Sequence, residues 1–416
     1  MRMPESDFHS DEITSNRPEP QNSSKRDNLL SRRMTRRKLL GKTAVGVAGI
    51  ALLAACGPDG KPLSADDSLD TTPASPTAVP ESTPTPEKEP QTLREWAEKA
   101  KFNIGITVGS NGFPEHFKAM SDFQAKEFNL AHITTNMQFT QPKEGEFSFT
   151  NSDFITNLAK RNNMKTYGTL VWSSDLPPWM KGKNSLEDLS RIRKAHIKAL
   201  MERYKGRMDT WNVINEYGKK GDIFLEKEGP GYLEDSFRLA READPSAKLI
   251  YNDYDNHSRT NTVFGTNRYN ITKEVVDRLK ANGLIDGVGL QMHLDGANPP
   301  QKEDVMETMK SYGVPVWITE FDVNLRNVPG SDEDRYNRQA EIYRSMLEAA
   351  IESGVCKDFI VFQMVDYQSV WENRKDLPGY STKADPTPYD DNMQPKPAYH
   401  AMIEALKSGV TKAKAP

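Results

Sequence analysis

The chain has 416 residues, enough for one large domain with additional segments, yet only 36% of them are hydrophobic, a low share for a chain globular throughout. A formal net charge of -4, with no basic stripe carrying interleaved aromatics, argues against a nucleic-acid partner. Cysteine occurs only at Cys56 and Cys356, which excludes a disulfide framework and a cysteine metal site and leaves Cys356 as a buried small hydrophobe.

Residues 1–30 are polar, charged and without periodicity. They precede the one dense basic run, Arg32-Arg33-Met34-Thr35-Arg36-Arg37-Lys38, and an apolar stretch from Thr43 to Ala55. A membrane span needs roughly 20 apolar residues, so this stretch fits the hydrophobic region of a signal peptide instead. The order Thr-Arg-Arg-Lys-Leu-Leu resembles a bacterial twin-arginine signal, and Leu53-Ala54-Ala55-Cys56 resembles the site at which a lipoprotein is cleaved and acylated. Residues 1–56 therefore read as an extension plus signal, with Cys56 as the lipidation site. At ~0.8 kcal/mol per buried CH₂, several acyl chains on one cysteine make a stable anchor. The expectation is an exported, cell-surface lipoprotein held to the membrane through Cys56, with simple secretion as the alternative.

Residues 57–91 are rich in Pro, Thr, Ser and acidic residues, a composition that cannot offset the entropy of ordering; they read as a disordered linker. Apolar periodicity begins near Thr92, and a single domain is expected over 92–410. Eight apolar runs read as strands: Phe102 to Val108, Asn129 to Thr134, Lys165 to Trp172, Asp209 to Asn215, Lys248 to Asp253, Gly287 to Gln291, Val314 to Glu320 and Phe359 to Met364. Amphipathic segments lie between them. In 190–204, Ile192, His196, Leu200 and Tyr204 share one helical face, and 334–353 places Ala340, Ile342, Tyr343, Met346 and Leu347 similarly. This alternation predicts an α/β fold, a (β/α)8 TIM barrel.

Two of the runs lead directly into a glutamate: Trp211-Asn212-Val213-Ile214-Asn215-Glu216 and Val316-Trp317-Ile318-Thr319-Glu320. Ends of the fourth and seventh strands put both carboxyls on the face where such barrels hold their chemistry. Cleavage of a glycosidic bond needs such a pair, one acid to protonate the leaving oxygen and one carboxylate on the other side of the anomeric carbon.

The segment Arg203-Tyr204-Lys205-Gly206 leading to Asn215-Glu216 resembles the acid/base segment of glycoside hydrolase family 10, the endo-β-1,4-xylanases. Phe237 to Pro245, Leu249-Ile250-Tyr251-Asn252-Asp253-Tyr254, Ile285 to Leu294, Ile318-Thr319-Glu320-Phe321-Asp322 and Gln394 to His400 resemble the family in order. The resemblance implies that Glu216 is the catalytic acid/base, with its protonated form favoured by burial and by the second carboxylate, and that Glu320 is the catalytic nucleophile. It also implies that His293 and Asp322 orient Glu320, and that Asn215, Gln291, Trp172, Asp175, Tyr254 and Trp371 bind substrate. Trp172, Trp179 and Trp371 are the candidate sugar-stacking platforms. No metal or other cofactor is implied.

Several positions depart from the family pattern. Thr134, Thr135 and Gln138 stand where the family has Glu, Asn and Lys, Gly168 and Ser173 replace two histidines, Asp175 replaces a glutamine and Phe362 a tryptophan. An altered sugar pocket beside an intact carboxyl pair is the expectation. The reading is thus a retaining endo-β-1,4-glycanase, expected to act as a monomer on xylan. The alternatives are the same chemistry on a β-glucan or decorated hemicellulose, or a surface carbohydrate-binding lipoprotein without turnover. A periplasmic solute-binding lipoprotein shares the anchor, but its two open lobes do not suit eight alternating strands.

Overall fold

Every strand of the barrel is parallel to its neighbours, and the chain order gives β1 (Asn103–Thr107), β2 (Leu130–Ile133), β3 (Lys165–Trp172), β4 (Thr210–Asn215), β5 (Lys248–Asp253), β6 (Gly287–Leu290), β7 (His293–Asp295), β8 (Val316–Asn324) and β9 (Cys356–Val361). The pairing runs from β1 through β6, then β6 to β8, β8 to β9 and β9 back to β1, which closes the ring. The computed structural model describes residues 89–107, 114–172, 176–373 and 383–414. The signal, Cys56, almost all of the linker, Ser173 and Asp175 lie outside the described residues.

The eight expected strands are present with three differences. The sixth is broken: Met292 adopts a left-handed φ of 56°, so β6 stops at Leu290 and the chain resumes as β7. Because β7 pairs His293, Leu294 and Asp295 with Asp322, Val323 and Asn324, β8 continues past Glu320 to Asn324. Glu320 therefore sits within its strand, in the gap between the two pairings, and not at the strand end that the sequence suggested. The last strand also lies earlier than expected, at Cys356–Val361 in place of Phe359 to Met364.

A parallel strand covered on both faces must be apolar on both, and β2, β4 and β6 are buried at every position. Inside the barrel, Leu130, Tyr167, Ile250, Trp317 and Ile360 form their own cluster. Helices pack outside. The helix Leu186–Arg203 is capped by Ser185, whose side chain accepts from the Asp188 N–H, and it buries Ile192, His196 and Leu200 against the barrel as the periodicity predicts. The helix Asp332–Ser353 begins in a capping box of Ser331 and Asp334 and buries Ile342, Tyr343, Met346 and Leu347. A second capping box, Thr92 with Glu95, opens the helix Leu93–Ala100 where the composition changes. Cys356 is buried, and burial pushes its thiol up to about 12, as suits a core residue.

Gly168 faces the helix layer. A Cβ placed there would lie 2.7 Å from the Trp211 ring and 3.1 Å from Oγ1 of Thr135, and Trp211 is wholly buried beside Tyr204. The missing side chain thus makes room for a core tryptophan and does not alter the sugar pocket, contrary to the expectation. Thr135 is likewise structural: its hydroxyl donates to the Thr169 carbonyl at 2.6 Å and accepts from the Thr169 N–H at 2.9 Å, tying the end of β2 to β3.

Candidate active site

Glu216 is the first residue beyond β4 and takes a left-handed φ of 61°, a conformation costing a non-glycine residue about 1 kcal/mol or more. Its N–H donates to the Asn252 carbonyl at 2.9 Å, which fixes the turn to β5. The side chain is buried and aimed inward. Gln291 donates to Oε1 at 2.9 Å, while Trp172 Nε1 at 3.2 Å and the Lys219 ammonium at 2.6 Å both donate to Oε2. Burial raises the pKa of this carboxyl. The charge of Lys219 and the hydrogen bonds from Gln291, Lys219 and Trp172 outweigh burial and hold it below the ordinary glutamate value. The protonated form expected from burial is therefore not the favoured one in the free protein, because a cation that sequence reasoning did not place touches the carboxylate.

Glu320 lies opposite. Its N–H donates to the Gln291 carbonyl at 3.1 Å, so the break between β6 and β7 supplies its backbone partner. Asn252 donates to Oε1 at 2.8 Å, and His293 Nε2 lies 3.4 Å from Oε2. His293 Nδ1 is 3.0 Å from Oδ1 of the fully buried Asp322, which also accepts from Trp371 Nε1 at 3.0 Å. Burial works against a charged imidazole, but Asp322 and then Glu320 push His293 up to about 10, so it is an imidazolium at neutral pH. The charged ring thus meets one oxygen of Glu320 while the Asn252 amide holds the other, which fixes the direction in which the carboxyl points.

Between the two carboxyls runs a chain of amides. Oδ1 of Asn215 accepts from Asn252 at 2.8 Å, from Asn212 at 3.0 Å and from Gln291 at 3.5 Å. With its carbonyl end so occupied, Asn215 is oriented with its NH₂ group as the free donor. Oδ1 of Asn252 accepts from Thr319 at 2.6 Å. Gly289 makes this possible, since a Cβ there would come within 2.3 Å of that oxygen.

The structure brings together Glu216, Glu320, His293, Asp322, Asn215, Gln291 and Trp172. Tyr254 is half-buried beside them, with Lys219 and Arg268 over its ring at 5.3 and 5.0 Å. Trp371 is a correction. It is 2% exposed, stacked on Phe264 at 5.5 Å and bonded to Asp322, so it braces the partner of His293 and presents no platform to a sugar. Trp179 is tied by its indole N–H to the Gln141 carbonyl at 2.7 Å. Gln138 is exposed, and Asp175 lies outside the described residues.

Three residues were missed. Asn252 ends one residue short of the close of β5, a strand-end position that could have been scored like Asn215 and Glu216. Lys219 follows Glu216 by three residues, the spacing of a tight turn, and its N–H indeed donates to the Glu216 carbonyl at 3.2 Å. Phe264 offered no sequence signal, and it packs edge-on against Tyr254 and His293 from a loop. A cavity of about 510 Å³ opens elsewhere, at the N-terminal end of the barrel, lined by Asn103, Thr166, Asp209, Trp317 and Asp358 among others. It shares none of the groups just described.

The family model of glycosyl hydrolase family 10 matches residues 92–405. Endo-1,4-beta-xylanase B of Thermotoga neapolitana is 31% identical over 332 residues, covering 76% of this chain and 91% of that relative. Endo-1,4-beta-xylanase A of Thermoanaerobacterium saccharolyticum is 29% identical over 336 residues, covering 74% of this chain but only 27% of that longer relative. The crystal structure of xylanase 10B from Thermotoga petrophila RKU-1 in complex with xylobiose superposes with a TM-score of 0.69 at 28% identity, covering 78% of this chain and 99% of that one.

Proposed function

The chain belongs to glycosyl hydrolase family 10, and from that premise we propose that it is a retaining endo-1,4-β-xylanase that cuts internal linkages of xylan by double displacement. The observation that carries this reading is the single amide network joining two carboxyls, Glu216 to Gln291 to Asn215 to Asn252 to Glu320. In the first step Glu320 attacks the anomeric carbon while Glu216 passes its proton to the departing glycosidic oxygen, leaving a glycosyl ester on Glu320. In the second, Glu216 takes a proton from water as the water oxygen bonds to the same carbon and the ester bond breaks. His293 and Asn252 hold Glu320 aimed at that carbon, and Asn215 offers its NH₂ group to a sugar hydroxyl. The relatives named as xylanases support the choice of xylan.

The test is hydrolysis of xylans, mixed-linkage glucans and mannans, with products sized and the anomer of the new end followed by NMR. Internal cleavage of xylan with retention is expected, with Glu320→Ala lowering turnover by orders of magnitude. Hydrolysis confined to a glucan would reassign the substrate, and full activity in Glu320→Ala would remove the mechanism.

The basic run, the apolar stretch and Leu53-Ala54-Ala55-Cys56 support export and anchoring at the cell surface through Cys56. Labelled palmitate should enter the protein and be lost in Cys56→Ser; equal labelling of both would reject the anchor.

A further inference from the structure

We propose that Lys219 is a positioning residue for the acid/base: its direct ion pair holds the Glu216 carboxyl and sets the pH above which the enzyme can no longer donate a proton to the departing oxygen. This rests on the role given to Glu216 above. The Lys219 ammonium lies 2.6 Å from Oε2, and it is anchored there by the backbone and not only by its own flexible stem. The turn from Glu216 to Lys219 is closed by the Lys219 N–H to the Glu216 carbonyl, and Gly218, with φ 71°, donates its N–H to Asp222 at 3.0 Å. Asp222 is itself fixed, accepting from the Leu225 N–H at 3.1 Å and the Tyr232 hydroxyl at 2.7 Å. The ammonium also rests 5.3 Å from the centre of the Tyr254 ring.

The two side chains differ in exposure, 37% for Lys219 against 6% for Glu216, so the cation stands at the rim and the carboxyl behind it. Such an arrangement has opposite effects on the two half-reactions. Protonating the leaving oxygen requires the neutral acid, which an adjacent ammonium disfavours; taking a proton from water requires the carboxylate, which the ammonium favours. Other charged groups bear on Glu216 from the surrounding elements. Asp253, at the end of β5, is paired with Arg268 at 2.6 Å, Tyr254 follows it, and Glu320 and His293 stand beyond Asn252 on β8 and β7. Trp172 and Gln291 contact the carboxyl as neutral donors. Lys219 is thus the group whose removal changes the charge touching Glu216 without disturbing the nucleophile.

The pH dependence of kcat/KM decides it, measured on a linear xylo-oligosaccharide and on a dinitrophenyl xylobioside, whose leaving group departs without a proton. On the oligosaccharide, Lys219→Met should move the alkaline limb upward by about one pH unit, which is roughly tenfold higher kcat/KM on that limb. Lys219→Arg should restore the wild-type profile, and the dinitrophenyl substrate should show no displacement in either variant. Superimposable limbs for wild type and Lys219→Met on the oligosaccharide, or equal displacement on both substrates, would overturn the assignment. Lys219→Gln serves the same purpose if the methionine variant folds poorly. A wild-type enzyme inactive on both substrates would instead overturn the proposed function.

Discussion

The side-chain amide of Asn252 donates a hydrogen bond of 2.8 Å to Oε1 of Glu320, the proposed nucleophile. The same nitrogen is 2.8 Å from Oδ1 of Asn215, and its oxygen accepts from Thr319, so the donor is held in place before any substrate arrives. A preorganised donor of this kind meets the negative charge that returns to Glu320 as the glycosyl ester breaks, and loss of a donor at developing charge typically lowers turnover roughly 10²-fold. Asn252→Ala should therefore reduce kcat on that scale and change KM by only a few-fold, because the contact is to an enzyme group and not to the sugar. Steady-state kinetics on xylan check this. A kcat within threefold of wild type would show that His293 alone suffices to hold Glu320.

The barrel and its carboxyl pair were legible because they depend on local pattern. Apolar runs bounded by polar segments mark buried parallel strands, and a glutamate just beyond such a run is placed by strand direction alone. What escaped depends on contacts across the fold. Nothing local to Met292 marks the left-handed break that splits the sixth strand and extends β8 beyond Glu320. Nothing in Trp371 reveals that Phe264, far earlier in the chain, covers one of its faces. From the sequence Gly168 points to a change in the sugar pocket, but a one-residue difference in facing directs its missing side chain at Trp211. The protonation of Glu216 escapes the sequence for a similar reason. Burial was legible from the apolar run, whereas the position of the Lys219 ammonium was set by a turn.

His293 ties stability to pH. Its ordinary value near 6.5 is pushed up to about 10 in the folded protein, so between those two values the native state binds a proton that the unfolded state does not. The stabilisation is complete below about pH 6.5 and is lost as pH rises toward 10. Thermal unfolding of the wild type should therefore show a decline between pH 7 and 9.5 that is shallower in His293→Gln, although the variant starts from a lower melting temperature. Parallel curves for the two proteins would show that the imidazole is not charged across this range.

At the opposite end of the barrel, Asp358 presents the reverse case. Burial raises its carboxyl from the ordinary 3.8 to about 6, with the Asn103 amide, 2.7 Å from Oδ1, offsetting only part of the cost. Above pH 6 the folded protein therefore carries an ionised group that the unfolded chain hydrates better, and the penalty fades as pH falls through 6 toward 4. Asp358→Asn keeps an oxygen for Asn103 and removes the charge. At pH 8 it should be more stable than wild type by on the order of 1–3 kcal/mol, and the gain should disappear near pH 4. Because Asp358 lines the cavity at the N-terminal end and touches none of the carboxyl network, kcat and KM on xylan should be unchanged. Denaturant unfolding at the two pH values measures the difference directly. An equal gain at both would mean that repacking, and not the buried charge, accounts for it.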